Sequence, residues 1–404
     1  METVILAVIE KLPGVTGYIY PNEYELHWGL LIVLYPYLTG LVAGAFILAS
    51  LERVFNVKAL MPVYRLSLLT ALSFLIVAPL PLLAHLGHPE RAFEMFLTPH
   101  TQSAMAMFGF VYAWYLMVVL LLEIWFDYRA NIVTWSKEKK GLIKYIYKIL
   151  SLGATDISEP AVRFDGKIGK IITIIGIPSA FLLHGYVGFI FGSVKANPWW
   201  SSVLIPIVFL FSAIVSGMAM MLLVYMVTTM FRWKQTNMKC VNKLAEFLLY
   251  AIIVDFSLEL LDFIHRLYES EESINILSEM ISNRLFISLI ISQIVLGTLI
   301  PVISLVMGRF GRFPDEMRRM LYLVAGVLIQ VGIFSTRWNI VIGGQLFSKS
   351  LRGLTVYKLE LMGVEGVFMT MLLLLLPFLA LLILTKILPP WNESETDIVL
   401  PLKT

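Results

Sequence analysis

Protonatable side chains set among long apolar runs are the parts of this chain equipped for chemistry. Six histidines (His27, His85, His88, His100, His184 and His265) and a row made of Asp255, Glu259, Asp262 and Arg266 stand out in 404 residues of which only 15% are charged. The row's spacings of four, three and four residues place it on one face of a helix. Histidine takes up and releases protons near neutral pH. Carboxylates at membrane depth are costly, so they face a cavity, a bundle interior or a partner charge. Such a set suits proton-coupled chemistry on a small polar group, conduction of protons or ions, or ligation of a haem or metal.

The elements that must position these groups are membrane helices. Hydrophobic residues make up 58% of the chain and mean hydropathy is +0.82, whereas a soluble domain is about a quarter charged. Nine apolar runs, at 27–50, 61–84, 103–126, 169–192, 201–230, 243–268, 283–307, 318–340 and 361–386, are long enough to cross a bilayer. Alternation of apolar and polar residues is absent, so the spans are helices that satisfy their own backbones. The expected fold is an all-α integral membrane bundle of nine helices, or ten if 337–360 or the first twenty residues hide a re-entrant segment. Residues 1–404 read as one membrane domain, with 1–22 as an interfacial segment and 127–168 as a long basic loop. Glu2 and the pair Glu10-Lys11 argue against a cleavable signal.

The segments 51–66, 127–170, 231–243, 308–320 and 386–404 hold 22 of the 31 lysines and arginines. That bias places them in the cytoplasm, with the N-terminus outside and the C-terminus inside a cell membrane. Lys137, Lys139, Lys140, Lys144 and Lys148 in the longest of these loops act as topology determinants and contacts for anionic lipid. The net charge of +3 is spread over such loops, which gives no footprint for nucleic acid.

With this topology all six histidines fall on the outer side. Span eight also ends outside, in RWNIVIGGQ with Arg337, Asn339 and Gln345. The single cysteine, Cys240, cannot ligate an iron–sulfur cluster, and no nucleotide-binding or zinc-protease motif is present. A haem path across the bilayer would need axial histidines in both leaflets, and the inner leaflet has none. One outer haem between His184 and His265 remains an alternative. His85 and His88 have metal-pair spacing, but in a loop without a third close ligand, so no metal is expected. A quinone head group fits better: its two oxygens need donors, and its oxidation needs proton acceptors. In the acidic row, Asp255 lies about halfway along its span with no basic residue nearby in sequence. Pairing of Glu259 or Asp262 with Arg266 or Arg337 is the structural alternative to proton transfer. Glu123 and Glu246, near inner ends, read as ordinary interface carboxylates.

Four segments together resemble a known family. His27-Trp28-Gly29 leading into LYPYLTGLVAGAF, the block HLGHPERAFEMFLTPHTQSAMAMFGFVYAWYL, HGYVGFIFGSVKANPWW, and RWNIVIGGQ are similar to the NrfD/PsrC family of polysulfide-reductase-like membrane subunits. They look most like its longer members, the Dsr-type P subunit and the integral membrane subunit of Hdr-like menaquinol oxidoreductases. The resemblance implies a subunit that is not catalytic alone. It implies menaquinol or menaquinone exchanging electrons, at the outer leaflet, with [4Fe–4S] clusters of a ferredoxin-like partner on the outer face. Cytochrome and Hdr-like subunits, in sulfur or sulfate respiration, are further implied partners, and no haem is expected in this chain. The family's quinone site has a histidine with an asparagine four residues before it; His27 matches, but Glu23 stands where asparagine would, with Asn22 beside it. Tyr186 is the expected site tyrosine, with Tyr112 and Tyr115 as competitors. The expected quinone site is therefore Glu23, His27, His85, His100, His184, Tyr186, Arg337 and Asn339, with Asp255, Glu259 and Asp262 moving protons. An ion or proton transporter, or a structural anchor without a quinone site, are the alternatives.

Overall fold

The computed structural model describes residues 15–391 apart from 25, 99–101, 103, 233 and 270–272. The chain is a helical, multi-pass membrane protein. Its principal helices are α1 (Leu30–Arg53), α2 (Lys58–His85), α3 (Gly109–Glu138), α4 (Leu142–Leu150), α5 (Glu159–Gly192), α6 (Ile205–Phe231), α7 (Met238–Glu269), α8 (Phe286–Phe310), α9 (Asp315–Leu346) and α10 (Val367–Ile387). All but α4 and α7 are long and apolar enough to span a bilayer. In α7, the expected sixth span, every 18-residue stretch holds at least three charged side chains. Its 32 residues would nevertheless measure about 48 Å at a helical rise of about 1.5 Å.

Helix α1 is apolar on all sides and is enclosed by other helices. Its apolar stretch is 94% buried, against 22% for α10 at the periphery. It packs on α2, α5, α6, α9 and α10. Lipid removes the hydrophobic force between helices, so close approach relies on small residues. Gly44 of α1 and Gly217 of α6 face each other so closely that a Cβ on either would overlap the opposite backbone; Gly297 of α8 and Gly332 of α9 do the same.

Three regions differ from the sequence reading. Most of the basic 127–168 stretch is helical, not loop, because α3 runs on to Glu138, α4 follows, and α5 starts at Glu159. The extended ends of α3 and α5 are joined by a buried pair, with Arg129 Nε donating to Asp165 at 2.7 Å. No re-entrant helix occupies 337–360 among the described residues. Instead α9 continues to Leu346 through a π-helical turn at Asn339–Gly343, and Arg352–Leu354 (β2) pairs antiparallel with Thr16–Tyr18 (β1). Part of the expected interfacial segment is thus a strand; residues 3–9 lie outside the described residues. Further π-helical segments occur at Tyr115–Leu120 and Phe286–Leu299, a geometry that concentrates at functional sites.

Candidate functional site

The structure gathers the expected polar residues into two groups. The first lies inside the bundle. His184 of α5 and Arg337 of α9 are both wholly buried, and Arg337 Nη2 lies 3.2 Å from His184 Nε2. Guanidinium can only donate, so Nε2 is the acceptor and the imidazole proton sits on Nδ1. That nitrogen faces Thr39 Oγ1 of α1 at 3.3 Å, and the Thr39 hydroxyl in turn donates to the Tyr35 carbonyl. Arg337 Nη2 also donates to Ser212 Oγ at 2.6 Å, and its guanidinium lies 4.2 Å above the Phe209 ring. Its Nε and Nη1 have no hydrogen-bond partner. Arg337 is therefore no interfacial snorkeller. Asp255 and Glu259 of α7 lie within electrostatic reach of it, supplying the cation that sequence proximity did not show for Asp255.

The acidic row divides by role. Asp262 pairs with Arg266 one turn on and accepts from Ser202, so the structural alternative holds for this residue. Arg266 is fixed by donating to the Trp199 carbonyl at 2.6 Å. Glu259 accepts from Gln293 at 3.1 Å and Thr336 at 3.4 Å. Gln293 then accepts from Asn339 at 2.7 Å, and Asn339 accepts from Ser288 at 2.6 Å. Asp255 is buried, and its Oδ1 has no partner. A cavity of about 140 Å³ lies along this line, with Glu259, Gln293 and Asn339 among walls that include Trp199, Phe256 and Phe263.

Two of the sequence segments lock onto each other. A π-helical turn loosens carbonyls from the regular ladder, and here the turn at 339–343 finds donors in the loop before α6. Trp199 Nε1 donates to the Asn339 carbonyl at 2.8 Å, Trp200 Nε1 to Ile340 at 2.6 Å, and Asn197 Nδ2 to Gly344 at 2.7 Å. Gly344 lies so near the Trp200 indole that a Cβ would overlap it.

The second group is at the end of the bundle where α1 begins. His27 is exposed there and makes no hydrogen bond among the described residues. Next to it, the Trp28 backbone is held from both sides by the Gln345 amide, at 3.0 and 2.9 Å. His85 Nδ1 lies 2.6 Å from Glu365 Oε1, a residue just before α10. Glu365 Oε2 is buried without a partner and lies beside Gly29, as does the Tyr357 hydroxyl. Burial pushes the Tyr357 phenol above its ordinary range, with Glu365 and Glu360 adding to the effect and the Leu30 N–H opposing it. Tyr35 is within electrostatic reach of Tyr186 and Tyr112. Tyr115 is instead fully buried against Phe46 on α1.

Other expected residues stand apart. Glu23 binds the loop after α9, accepting from the Ser348 hydroxyl and from the Lys349 N–H at 3.1 Å. His88 is exposed beside Glu90, and His265 is largely exposed beside Glu269. Both nitrogens of His184 are engaged, one with Thr39 and one with Arg337. His100 lies outside the described residues.

Sequence reading missed Glu365, Gln293 and Ser212, which lie in apolar or loop segments without a motif. It also misread Glu123. Glu246 is an interface carboxylate paired with Lys243 and Arg309, but Glu123 is wholly buried, with Oε1 accepting from Thr173 at 2.7 Å. Its depth follows from α3 running on past it to Glu138, which moves the end of the helix about four turns further.

Comparison with known proteins bears on this arrangement. The chain is 33% identical to a selenate reductase subunit of Mesobacillus selenatarsenatis over 78% of its length and 73% of that protein's. It is 24% identical to the Hdr-like menaquinol oxidoreductase integral membrane subunit of Archaeoglobus fulgidus, over 88% and 82% respectively. The protein NrfD of Escherichia coli is 26% identical over 49% of this chain and 59% of its own. The family model for polysulphide reductase, NrfD, matches residues 20–349, a range that takes in α1 through α9 and both polar groups except Tyr357 and Glu365, and so the chain belongs to the NrfD family.

Proposed function

We propose that this chain is the quinone-interacting membrane subunit of a multi-subunit redox complex, exchanging electrons between menaquinol or menaquinone and iron–sulfur clusters carried by a partner. The observation that carries the reading is the outer end of α1. There His27, the His85–Glu365 pair and Tyr357 converge on one helix terminus, above the tyrosines Tyr35, Tyr112 and Tyr186. A quinone needs such a site: polar groups for two ring oxygens at the mouth of an apolar bundle. The names of two relatives, a menaquinol oxidoreductase membrane subunit and a selenate reductase subunit, support a redox complex. The lysine and arginine bias supports a cell-membrane topology with this site outside and the C-terminus inside.

Electrons pass from the quinol to clusters docked over the site. Protons leave at the α1 terminus, where His27 is exposed, or enter the line of Asp255 and Glu259 beside the cavity within the bundle. That cavity, at about 140 Å³, is smaller than the ~300 Å³ of a typical small-molecule site. It suits a few waters better than a whole quinone.

The test is to extract the purified complex for menaquinone and to record its spectrum. Menaquinone without a haem band from this chain is expected. His27→Ala should abolish quinol-dependent reduction while leaving assembly intact; wild-type turnover in that variant would remove His27 from the site. Absence of quinone together with ion transport by the isolated chain in liposomes would replace this reading with a transporter.

A further inference from the structure

Glu365 lies outside the four segments that carry the family resemblance, and outside the residues matched by the family model. Its two oxygens have different surroundings. Oε1 faces His85 Nδ1 at 2.6 Å. Oε2 is buried and accepts nothing. A buried carboxylate oxygen without a donor is costly, and such exceptions in folded proteins mark strain, an ordered water or ion, or a catalytic role.

Because residue 29 is a glycine, no side chain crowds Oε2 on the side of the α1 terminus. A Cβ at Gly29 would lie 3.0 Å from Oε2 and 3.2 Å from the Tyr357 hydroxyl. Gly29 is also the N-cap of the 24-residue helix α1, whose positive end favours an anion at that position. The His85 side chain is 25% exposed and that of Glu365 36%, so the pair reaches the aqueous face while Oε2 stays buried.

We propose that Glu365 is the proton acceptor for the quinol, with His85 as the positioning residue that passes the proton outward; this rests on the quinone reading above. A quinol hydroxyl donates to Glu365 Oε2. As the quinol loses one electron to a partner iron–sulfur cluster, its O–H proton moves to Oε2. The carboxyl then releases a proton to water by way of His85. Repetition with the second hydroxyl and a second electron gives quinone, two protons and two electrons. The charged and titratable groups around the carboxylate are His85 from α2, Tyr357 and Glu360 from the loop before α10, and the N-terminus of α1.

The experiment uses the intact complex with menadiol as donor and its own clusters as acceptor. Glu365→Gln should lower kcat by about a hundredfold or more, the usual contribution of a general base, with the amount of bound menaquinone unchanged. Glu365→Ala should regain activity with added acetate or formate, a response that a merely structural carboxylate would not give. His85→Gln should lower kcat less and shift its pH profile. Gly29→Ala, which retains the carboxylate, should raise KM. If wild type oxidises menadiol and Glu365→Gln does so at the same rate, or if Glu365→Ala assembles but gains nothing from acetate, the assignment of Glu365 is wrong and the quinone reading stands. If wild type neither binds menaquinone nor oxidises menadiol, the quinone reading itself fails.

Discussion

Replacing Arg337 by leucine tests whether the buried polar group depends on its central cation. Arg337 is fully buried and donates to Ser212 and His184. A hydrogen bond from a charged donor is worth about 1.5–3 kcal/mol, and a desolvated cation over an aromatic ring about 2 kcal/mol. These contributions overlap and do not add. Ser212 would not be orphaned, since its hydroxyl already donates to the Phe209 carbonyl at 3.0 Å. The larger effect is on Asp255, which would lose the cation that faces it, and on Glu259, which would keep only Arg266. Removing one side of a buried charge set costs about 3–5 kcal/mol, and that is the expected loss for Arg337→Leu. Adding Asp255→Asn should then return part of it, with a coupling of about 1–3 kcal/mol in the double-mutant cycle. Reversible unfolding by sodium dodecyl sulfate in bicelles, followed by tryptophan fluorescence, measures all three variants. A loss below about 1 kcal/mol, or strict additivity, would refute the view that the cation balances the carboxylates.

Glu23→Ala should cost about 1.5–3 kcal/mol locally, because it leaves the Ser348 hydroxyl and the Lys349 N–H without their acceptor; faster hydrogen exchange at 16–24 and 347–354 would report it, while quinol turnover stays near wild type. Trp200→Phe keeps an aromatic ring but removes the donor to the Ile340 carbonyl, so it should lower stability by about 1–3 kcal/mol, and unchanged unfolding would deny the indole that capping role. Gly217→Leu drives a side chain into the α1 backbone at Gly44, and a loss of about 3 kcal/mol or failure to assemble is expected, read as recovery of monodisperse protein from detergent. A well-behaved variant would show that the two helices separate at little cost.

The bilayer explains why so much was legible in the sequence. Lipid forces each crossing segment to satisfy its own backbone, so run length alone located the helices, and α7 was found despite its charges. Helical periodicity alone put Asp255, Glu259 and Asp262 on one face. The family motifs were equally local: HGYVGFIFGSVKANPWW and RWNIVIGGQ were recognisable separately, long before the indoles of one were seen to cap the carbonyls of the other.

What a helix touches depends on its rotation about its axis and on its neighbours. A helix such as α1, apolar all round, carries no pattern that reveals either. Tertiary structure therefore decided that His184 of α5 meets Arg337 of α9, 153 residues away, and that His85 meets Glu365, 280 residues away. It also decided the place of Glu123, since a charged residue near an expected span end reads as interfacial until the helix is seen to continue past it. The sequence by itself determined which groups could do chemistry and roughly at what depth they lie. Only packing determined which of them share a site, because a pairing between distant helices is set by every contact along both and is written in no single segment.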